Sequence, residues 1–232
     1  MKTGVIILCR MNSSRLPGKP LADVCGRPLL SYLCDRLQPL QDDGISIVVA
    51  TSDAWHDDSI QDYCESQDIH CFRGSLNHVA QRMLACAEQY GFDWFARVNG
   101  DSPFVDSELL RKGFEICPDR HFDFITNLAP RSYPYGVAVE ILRTSWLERL
   151  EQTQPLLIDP EHVTARFYNN LHQIRYYNVS QVGNEHTRCQ LTIDSREDLN
   201  WFRGFIAEHC SQWPQVSFED AVADRQPMRK VA

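Results

Sequence analysis

The sequence has no excess of positive charge. It contains 23 lysine and arginine residues against 31 aspartate and glutamate residues, so the 232-residue chain carries a formal net charge of −8 at pH 7. A protein that holds nucleic acid non-specifically needs surplus cations to neutralise the phosphates. The composition therefore excludes nucleic acid as a general partner and leaves room for a small anion that a local group of cations would bind.

Long apolar runs and paired cysteine motifs are also missing. The apolar run Val5–Cys9 stops at Arg10 and is too short for a secretory signal or a membrane span, so we expect a cytoplasmic protein with no membrane contact. The nine cysteines include no C-x-x-C pair, and an odd number cannot all pair within one chain. We expect free, mostly buried thiols.

Short apolar runs alternate with amphipathic segments, a pattern typical of strands that are joined by crossover helices into a mostly parallel sheet. The chain is therefore predicted to be an α/β protein. The predicted strands are Val5–Cys9, Ile45–Ala50, Trp94–Val98, Phe122–Thr126, Val137–Leu142, Gln173–Val179 and Arg188–Ile193. The predicted helices are Leu29–Leu37, Asp57–Ser66, Leu76–Tyr90, Ser107–Cys117, Ser145–Gln152, Glu161–Asn169 and a last helix that Ser195 caps.

Between the first strand and the first helix, the loop from Arg10 to Lys19 concentrates cations and hydrogen-bond donors. In such sheets ligands bind beyond the carboxyl ends of the strands. Arg10, Arg15 and Lys19 supply charge, and Ser13 and Ser14 supply hydroxyl groups, so the loop can wrap a polyphosphate. It has the glycines of neither a Walker loop nor a Rossmann fingerprint, and a solvated basic turn is the alternative.

Two aspartates follow strand-like segments and precede turns or helices. Asp101 lies in Asn-Gly-Asp-Ser-Pro after Trp94–Val98, and Asp194 follows Arg188–Ile193. Mg²⁺ commonly takes one or two carboxylates together with phosphate oxygens, so the two residues would form a metal site if their strands were neighbours. The alternative roles are a turn former for Asp101 and part of an N-cap for Asp194.

Seven short segments, in order along nearly the whole chain, resemble the cytidylyltransferase family that includes the 3-deoxy-manno-octulosonate and acylneuraminate enzymes, and most closely its spore-coat-polysaccharide branch. The segments are RMNSSRLPGK at 10–19, VATS at 49–52, FRGS at 72–75, NGDSP at 99–103, YPYGVAVE at 133–140, EHVT at 161–164 and LTIDSREDL at 191–199. The resemblance implies a three-layer α/β/α sandwich of the nucleotide-diphospho-sugar transferase type.

The resemblance also implies roles for the residues named above. CTP would donate CMP to a sugar or sugar-acid hydroxyl and release pyrophosphate, with Mg²⁺ on Asp101 and Asp194. Arg10, Arg15 and Lys19 would bind the triphosphate, and Arg10, Lys19 and Asp101 are the catalytic candidates. The remaining nucleotide-binding candidates are Ser13, Ser14, Ser52, Asn99 and Arg82, the last with an exposed surface charge as its alternative. No covalent protein intermediate is needed, and no Ser/His/Asp or Cys/His arrangement is recognisable.

The acceptor pocket is expected in the second half of the chain, because aromatic faces and hydrogen-bonding side chains hold sugars. The candidates are Tyr133, Tyr135, Gly136, Glu140, His162 and Tyr168. His162 has a purely structural role as its alternative. The chain departs from its relatives at Ala138, where they often have a carboxylate, and at Cys9, where they usually have a small or amide residue.

One domain is expected from the length. Its parts are a nucleotide-binding half at 1–128, an acceptor-side and dimerisation excursion at 129–187, and a last strand with helices at 188–225 that completes the sheet. The resemblance implies a homodimer. Cytidylyl transfer to a phosphate or phosphonate and a non-catalytic nucleotide-binding protein stay open as alternatives. A glycosyltransferase is disfavoured because Asn99-Gly-Asp101 replaces the usual D-x-D-like metal motif.

Overall fold

A computed structural model describes residues 1–119, 121–153, 164–181 and 186–225. The strands are β1 Thr3–Leu8, β2 Asp23–Val24, β3 Arg27–Pro28, β4 Ser46–Ser52, β5 His70–Gly74, β6 Trp94–Asn99, β7 Phe124–Thr126, β8 Glu140–Arg143 and β9 Tyr176–Asn178. The helices are α1 Leu29–Leu37, α2 Pro39–Asp42, α3 Asp58–Ser66, α4 Val79–Tyr90, α5 Ser107–Ile116, α6 Thr144–Thr153, α7 Ala165–Asn169, α8 Arg196–His209 and α9 Phe218–Asp224. Within these ranges no helix has the length and apolar character that crossing a membrane requires.

Seven of the strands form one sheet in the order β5-β4-β1-β6-β8-β7-β9. The pairs β5-β4, β4-β1, β1-β6 and β7-β9 are parallel, whereas β8 runs antiparallel to both of its neighbours. The prediction of an α/β protein with a mostly parallel sheet is confirmed. Parallel order brings the carboxyl ends of β1, β4 and β6 to one edge, where the loops that follow them meet.

Successive side chains of a strand point to opposite faces of the sheet, so the central strand β1 contributes side chains to two separate hydrophobic cores. Val5 and Ile7 are buried on one side, against α1, α5 and α8. Ile6 and Leu8 are buried on the other side, against α4, α6 and α7. Because the two cores lie on opposite faces of one sheet, the molecule has the predicted three-layer α/β/α arrangement.

The predicted strand Arg188–Ile193 is wrong, because the structure shows an isolated bridge between Tyr135 and Gln190 instead of a strand. The backbone groups of this segment are used elsewhere: the Cys189 carbonyl accepts from the Tyr135 N–H, and the Ile193 N–H donates to the Asp101 carbonyl. The segment therefore lies across the carboxyl edge of the sheet. Its buried Leu191 and Ile193 produced the strand-like apolar pattern.

Edge strand β5 was not predicted. Only Phe72 of its five residues is buried, and the strand contains His70 and Arg73, so no apolar run marks it. The segment predicted as a helix at Glu161–Asn169 lies partly outside the described residues, and its described part is α7.

Gly136 lets the backbone of residues 189–192 pack closely against the Tyr135–Gly136 segment. Its φ is +97°, and a Cβ atom there would lie 3.0 Å from both the Leu191 carbonyl carbon and the Thr192 nitrogen. The Leu191 N–H donates to the Tyr135 carbonyl at 2.7 Å. A side chain at position 136 would therefore strain its own backbone and push on the segment that leads to Asp194.

We expect Gly136→Ala to lower the free energy of unfolding by about 1–3 kcal/mol, because it combines backbone strain with a clash against backbone atoms. Urea unfolding measures this loss. Gly44→Ala is the matched control: Gly44 has a φ of +77°, but no described atom lies within 4 Å of its Cβ position. Equal losses in the two variants would contradict the close packing.

Candidate active site

A cavity of about 290 Å³ opens at the carboxyl edge of the sheet, between the ends of β1 and β6 and the first turn of α4. It is lined by Leu8, Cys9, Arg10, Ser13, Ser14, Arg15, Lys19, Pro20, Val79, Arg82, Arg97, Asn99, Gly100 and Asp101. Most of the residues predicted to bind a nucleotide therefore lie around one space. Ser52 and Asp194 do not line it directly.

Gly100 allows the ends of β1 and β6 to meet at the floor of the cavity. Its N–H donates to the Leu8 carbonyl at 2.9 Å, and a Cβ atom at position 100 would lie 2.7 Å from the Cβ of Cys9. The Cys9 thiol is buried. Burial, followed by the nearby Cys34 thiol, raises its pKa above the ordinary value, so Cys9 forms a neutral wall of the cavity.

The ammonium group of Lys19 lies between the two aspartates that the sequence analysis singled out. Its Nζ is 2.7 Å from Asp101 Oδ2 and 3.4 Å from Asp194 Oδ1, and the Lys19 side chain is 11 % exposed. Arg15 Nη2 also contacts Asp194 Oδ1, at 2.8 Å. Residues from three distant parts of the chain thus form one cluster of alternating charge.

These residues fit a magnesium ion by their chemistry. Carboxylate oxygens are hard ligands, and Mg²⁺ usually takes only one or two of them and fills its other positions with water and phosphate. Asp101 and Asp194 supply two, and the described residues contain no group of three or more His, Cys, Asp or Glu side chains around a common point. Two carboxylates suit an ion that binds together with a phosphate ligand better than an ion that protein side chains surround completely.

Asp57, which sequence reasoning missed, fixes the start of the cationic loop. Its buried carboxylate accepts hydrogen bonds from the Met11 N–H at 2.7 Å, from the Ser52 N–H at 3.1 Å and from the Ser52 hydroxyl. Burial acts to raise the pKa of Asp57, but the hydrogen bonds from Ser52 and Met11 outweigh it and hold the pKa below its usual value. Asp53 and Asp58 flank it in the sequence, so spacing alone could not single it out.

Arg82 is a buried side chain of α4, 3 % exposed, which excludes the alternative of a surface charge. Its Nη1 donates to the Ser75 carbonyl at 2.9 Å, whereas its Nε has no hydrogen-bond partner among the described residues. Burial lowers its pKa from the ordinary value. A buried guanidinium with an unused donor at a cavity wall is suited to hold an acceptor group of a ligand.

Asp198 holds Asp194 in place at the start of α8. One of its oxygens accepts from the Asp194 N–H at 3.0 Å and the Ser195 N–H at 2.8 Å, in a capping box with Ser195. The other oxygen accepts from Arg225. The spacing of Ser195 and Asp198 is the sequence signal of this box, but that signal says nothing about its effect on Asp194.

Two of the predicted acceptor residues, Glu140 and Tyr168, form a buried network beside the cavity. The Tyr168 hydroxyl donates to Glu140 Oε1 at 2.9 Å and lies 2.8 Å from Thr126 Oγ1. Glu140 also pairs with Arg97, whose Nη2 donates to Asn99 Oδ1 at 2.9 Å. Burial, and then the charge of Glu140, raise the pKa of Tyr168. Arg97, which the sequence analysis did not select, connects this network with the cavity.

The other acceptor candidates are not part of this network. Tyr133 is buried in the core and packs edge-on against Phe218. Tyr135 is 47 % exposed, and the guanidinium of Arg131 lies 4.0 Å from its ring centre. Gly136 contacts residues 191–192 as described above, and His162 lies outside the described residues.

A mostly parallel sheet whose carboxyl edge carries a cationic loop and two converging carboxylates is an arrangement suited to a nucleotidyltransferase. The model of the cytidylyltransferase family matches residues 4–224. The chain belongs to that family, which confirms the resemblance seen in the sequence.

Three similarities illustrate this membership. The chain is 30 % identical over 229 residues to the spore coat polysaccharide biosynthesis protein SpsF of Bacillus subtilis, covering 94 % of this chain and 91 % of that protein. It is 32 % identical over 111 residues to a 3-deoxy-manno-octulosonate cytidylyltransferase of Pectobacterium carotovorum, covering 47 % and 43 % of the two chains. A cytidylyltransferase structure from Leptospira borgpetersenii superposes with a TM-score of 0.84 at 26 % identity and covers 99 % of both chains.

We expect Asp57→Asn to lower the free energy of unfolding by about 1–3 kcal/mol at pH 7, because the amide NH₂ group would face donors that need an acceptor. A carboxylate with a lowered pKa stabilises the fold above its unfolded pKa, and this stabilisation is lost as the pH falls through the folded pKa. The difference from the wild type should therefore shrink below about pH 3.9.

Urea unfolding at several pH values measures this difference. Asp58→Asn is the matched control, because Asp58 is an exposed neighbour that pairs with Arg73. A loss in Asp57→Asn that did not depend on pH would contradict the role of its charge.

Proposed function

We propose that this protein transfers CMP from CTP to a hydroxyl group of a sugar or sugar acid and releases pyrophosphate, with Mg²⁺. The observation that carries the proposal is the cluster of Lys19, Asp101 and Asp194 at the mouth of the cationic cavity. A triphosphate is the ligand whose charge these cations match, and family membership supports cytidine as its base.

The loop residues bind the phosphates in this proposal. Arg10, Arg15 and Lys19 provide charge, and Ser13 and Ser14 provide hydroxyl donors around the cavity. Asn99 and Arg82 also line the cavity, and we assign them to the nucleoside. Ser52 acts through Asp57, which fixes the backbone of the loop.

Asp101 and Asp194 would hold the magnesium ion. Bound there, Mg²⁺ would supply positive charge to the phosphate oxygens as negative charge develops on them. The chain's own cations also supply positive charge to the phosphates, since donors that are in place before the chemical step need no rearrangement during the reaction. Arg10, Lys19 and Asp101 are accordingly the residues to which we assign catalysis.

The reaction is an in-line displacement at the α-phosphorus. The acceptor oxygen forms a bond to that phosphorus and loses its proton, while the bond to the bridging oxygen of the β-phosphate breaks and pyrophosphate leaves. No protein nucleophile is needed. The protein binds and orients the two substrates and neutralises the charge on the phosphates.

The acceptor is placed beside Glu140, Tyr168 and Arg97. A carboxylate, a hydroxyl and a guanidinium in one buried network can hydrogen-bond several hydroxyl groups of a sugar. Exposed Tyr135 offers an aromatic face, and Tyr133, Gly136 and His162 stay acceptor candidates. The name of the Bacillus subtilis relative suggests a product used in polysaccharide synthesis.

We also propose a homodimer that forms through the 129–187 excursion, with the 1–128 half binding the nucleotide. Residues 188–225 would complete the metal site through Asp194. Exposed Tyr177 on edge strand β9 belongs to the excursion and lies 5.4 Å from Phe122 between ring centres. Sedimentation of the purified protein tests this assembly.

Pyrophosphate release by the purified chain tests the function. CTP should support release with a panel of sugar acids, and ATP, GTP and UTP should not. Pyrophosphate release only with phosphorylated or phosphonate acceptors would show that the enzyme transfers CMP to a phosphate or phosphonate oxygen instead of a hydroxyl group. CTP binding without turnover across the whole panel would indicate a non-catalytic nucleotide-binding protein.

We expect Asp101→Asn to lower the turnover rate at least about a hundredfold, because the metal would lose a charged ligand. The melting curve should show that the variant stays folded. Asp62→Asn makes the same chemical change at an exposed position of α3 and should leave turnover unchanged. Full magnesium-dependent activity of Asp101→Asn would remove Asp101 from the site.

A further inference from the structure

Lys19 occupies the position between the two proposed metal ligands. The whole residue is 9 % exposed, and one nitrogen lies within 3.4 Å of an oxygen on each of Asp101 and Asp194. A buried ammonium and a divalent cation cannot share that position, because like charges so close together repel strongly.

Each oxygen of the two carboxylates already accepts at least one hydrogen bond. Asp194 Oδ1 accepts from Arg15 and Lys19, and its Oδ2 accepts from Gln190 at 3.1 Å and Thr192 at 2.9 Å. Asp101 Oδ1 accepts from the Ser102 hydroxyl at 3.3 Å. A metal ion that arrived alone would have to displace these donors without offering them another partner.

The charges of the cluster also balance. Two carboxylates face two cations, so a divalent ion added alone would leave the cluster with excess positive charge in a partly buried place. A triphosphate that arrives with the ion adds the negative charge that restores the balance. It also gives the displaced ammonium group new oxygen partners.

We propose that Lys19 is a displaceable internal cation that makes metal binding depend on nucleotide binding. Without nucleotide, its ammonium neutralises Asp101 and Asp194 and excludes a divalent ion. When the triphosphate binds, the ammonium moves to the phosphate oxygens and frees the two carboxylates for the ion. This inference rests on the proposed function, because it takes the nucleotide and the metal site from it.

The backbone around Lys19 suits such a movement of the side chain alone. The Lys19 N–H donates to the Leu16 carbonyl at 3.2 Å, and the Lys19 carbonyl accepts from Ala22 at 3.1 Å. Lys19 also lines the cavity, so rotation of its flexible four-carbon stem is sufficient to carry the charge from the carboxylates into the cavity.

Mn²⁺ binding in the absence of nucleotide, followed by electron paramagnetic resonance, tests the proposal. Lys19→Met should bind Mn²⁺ at least about tenfold more tightly than the wild type, because the competing cation is gone. Lys112→Met is the matched control, since Lys112 is an exposed lysine of α5, and should bind as the wild type does. An affinity of Lys19→Met no greater than that of the wild type would overturn the proposal.

Further variants show that the gain arises from charge at this position. Lys19→Arg keeps the charge and should show no gain, and adding Asp101→Asn to Lys19→Met should remove the gain. A gain that survived Asp101→Asn would place the ion elsewhere and overturn the proposal. If Lys19→Met fails to fold, Lys19→Gln replaces it and keeps a hydrogen-bond donor between the carboxylates.

CTP should tighten Mn²⁺ binding strongly in the wild type and much less in Lys19→Met. Equal tightening in both proteins would contradict the coupling. Failure of the proposed function has a different signature: the wild type would bind CTP without turnover, or would bind no CTP at any Mn²⁺ concentration, whatever the metal affinities of the variants without nucleotide.

Discussion

The contact of the Lys19 ammonium with Asp101 and Asp194 is the interaction on which the site depends. It joins the loop after β1, the turn after β6 and the segment before α8, which are far apart in the sequence. Removing Lys19 would take away the cation that Asp101 and Asp194 share in a partly buried place, which is costly because charges there need partners. The charges that hold the three segments together are therefore the same ones that we assign to nucleotide and metal binding.

Two further carboxylates, those of Asp57 and Asp198, fix the backbone next to this cluster. Asp57 accepts the Met11 N–H at the start of the cationic loop, and Asp198 accepts the Asp194 N–H at the start of α8. Both have lowered pKa values, because hydrogen bonds outweigh the burial that acts to raise them. Each fixes a backbone group next to a functional side chain, so the backbone that carries the loop cations and Asp194 is positioned before any ligand binds.

The sheet was predictable from the sequence because its central strands are buried on both faces and appear as unbroken apolar runs. The loop cations and Asp101 were selected because they follow such runs, and Asp194 because the segment before it was predicted as a strand; the structure brings Lys19, Asp101 and Asp194 together. Edge strand β5 was missed because no apolar run marks it. The segment around Gln190 was wrongly predicted as a strand, because burial on one side of a non-strand segment gives the same alternation as a strand. Asp57 and Arg97 were missed for another reason: their roles depend on partners that only the folded chain brings to them.

Arg97 connects the proposed nucleotide and acceptor sides of the site. Its guanidinium contacts Glu140 on one side and Asn99 on the other, while Glu140 in turn accepts from Tyr168. A ligand that drew Glu140 away from Arg97 would change the charge felt at Asn99, inside the nucleotide cavity. Ala138 lies two residues before Glu140 and has no carboxylate. Glu140 is therefore the acid of this segment that pairs with Arg97. In the function that we propose, this one buried ion pair would link acceptor selection to nucleotide binding.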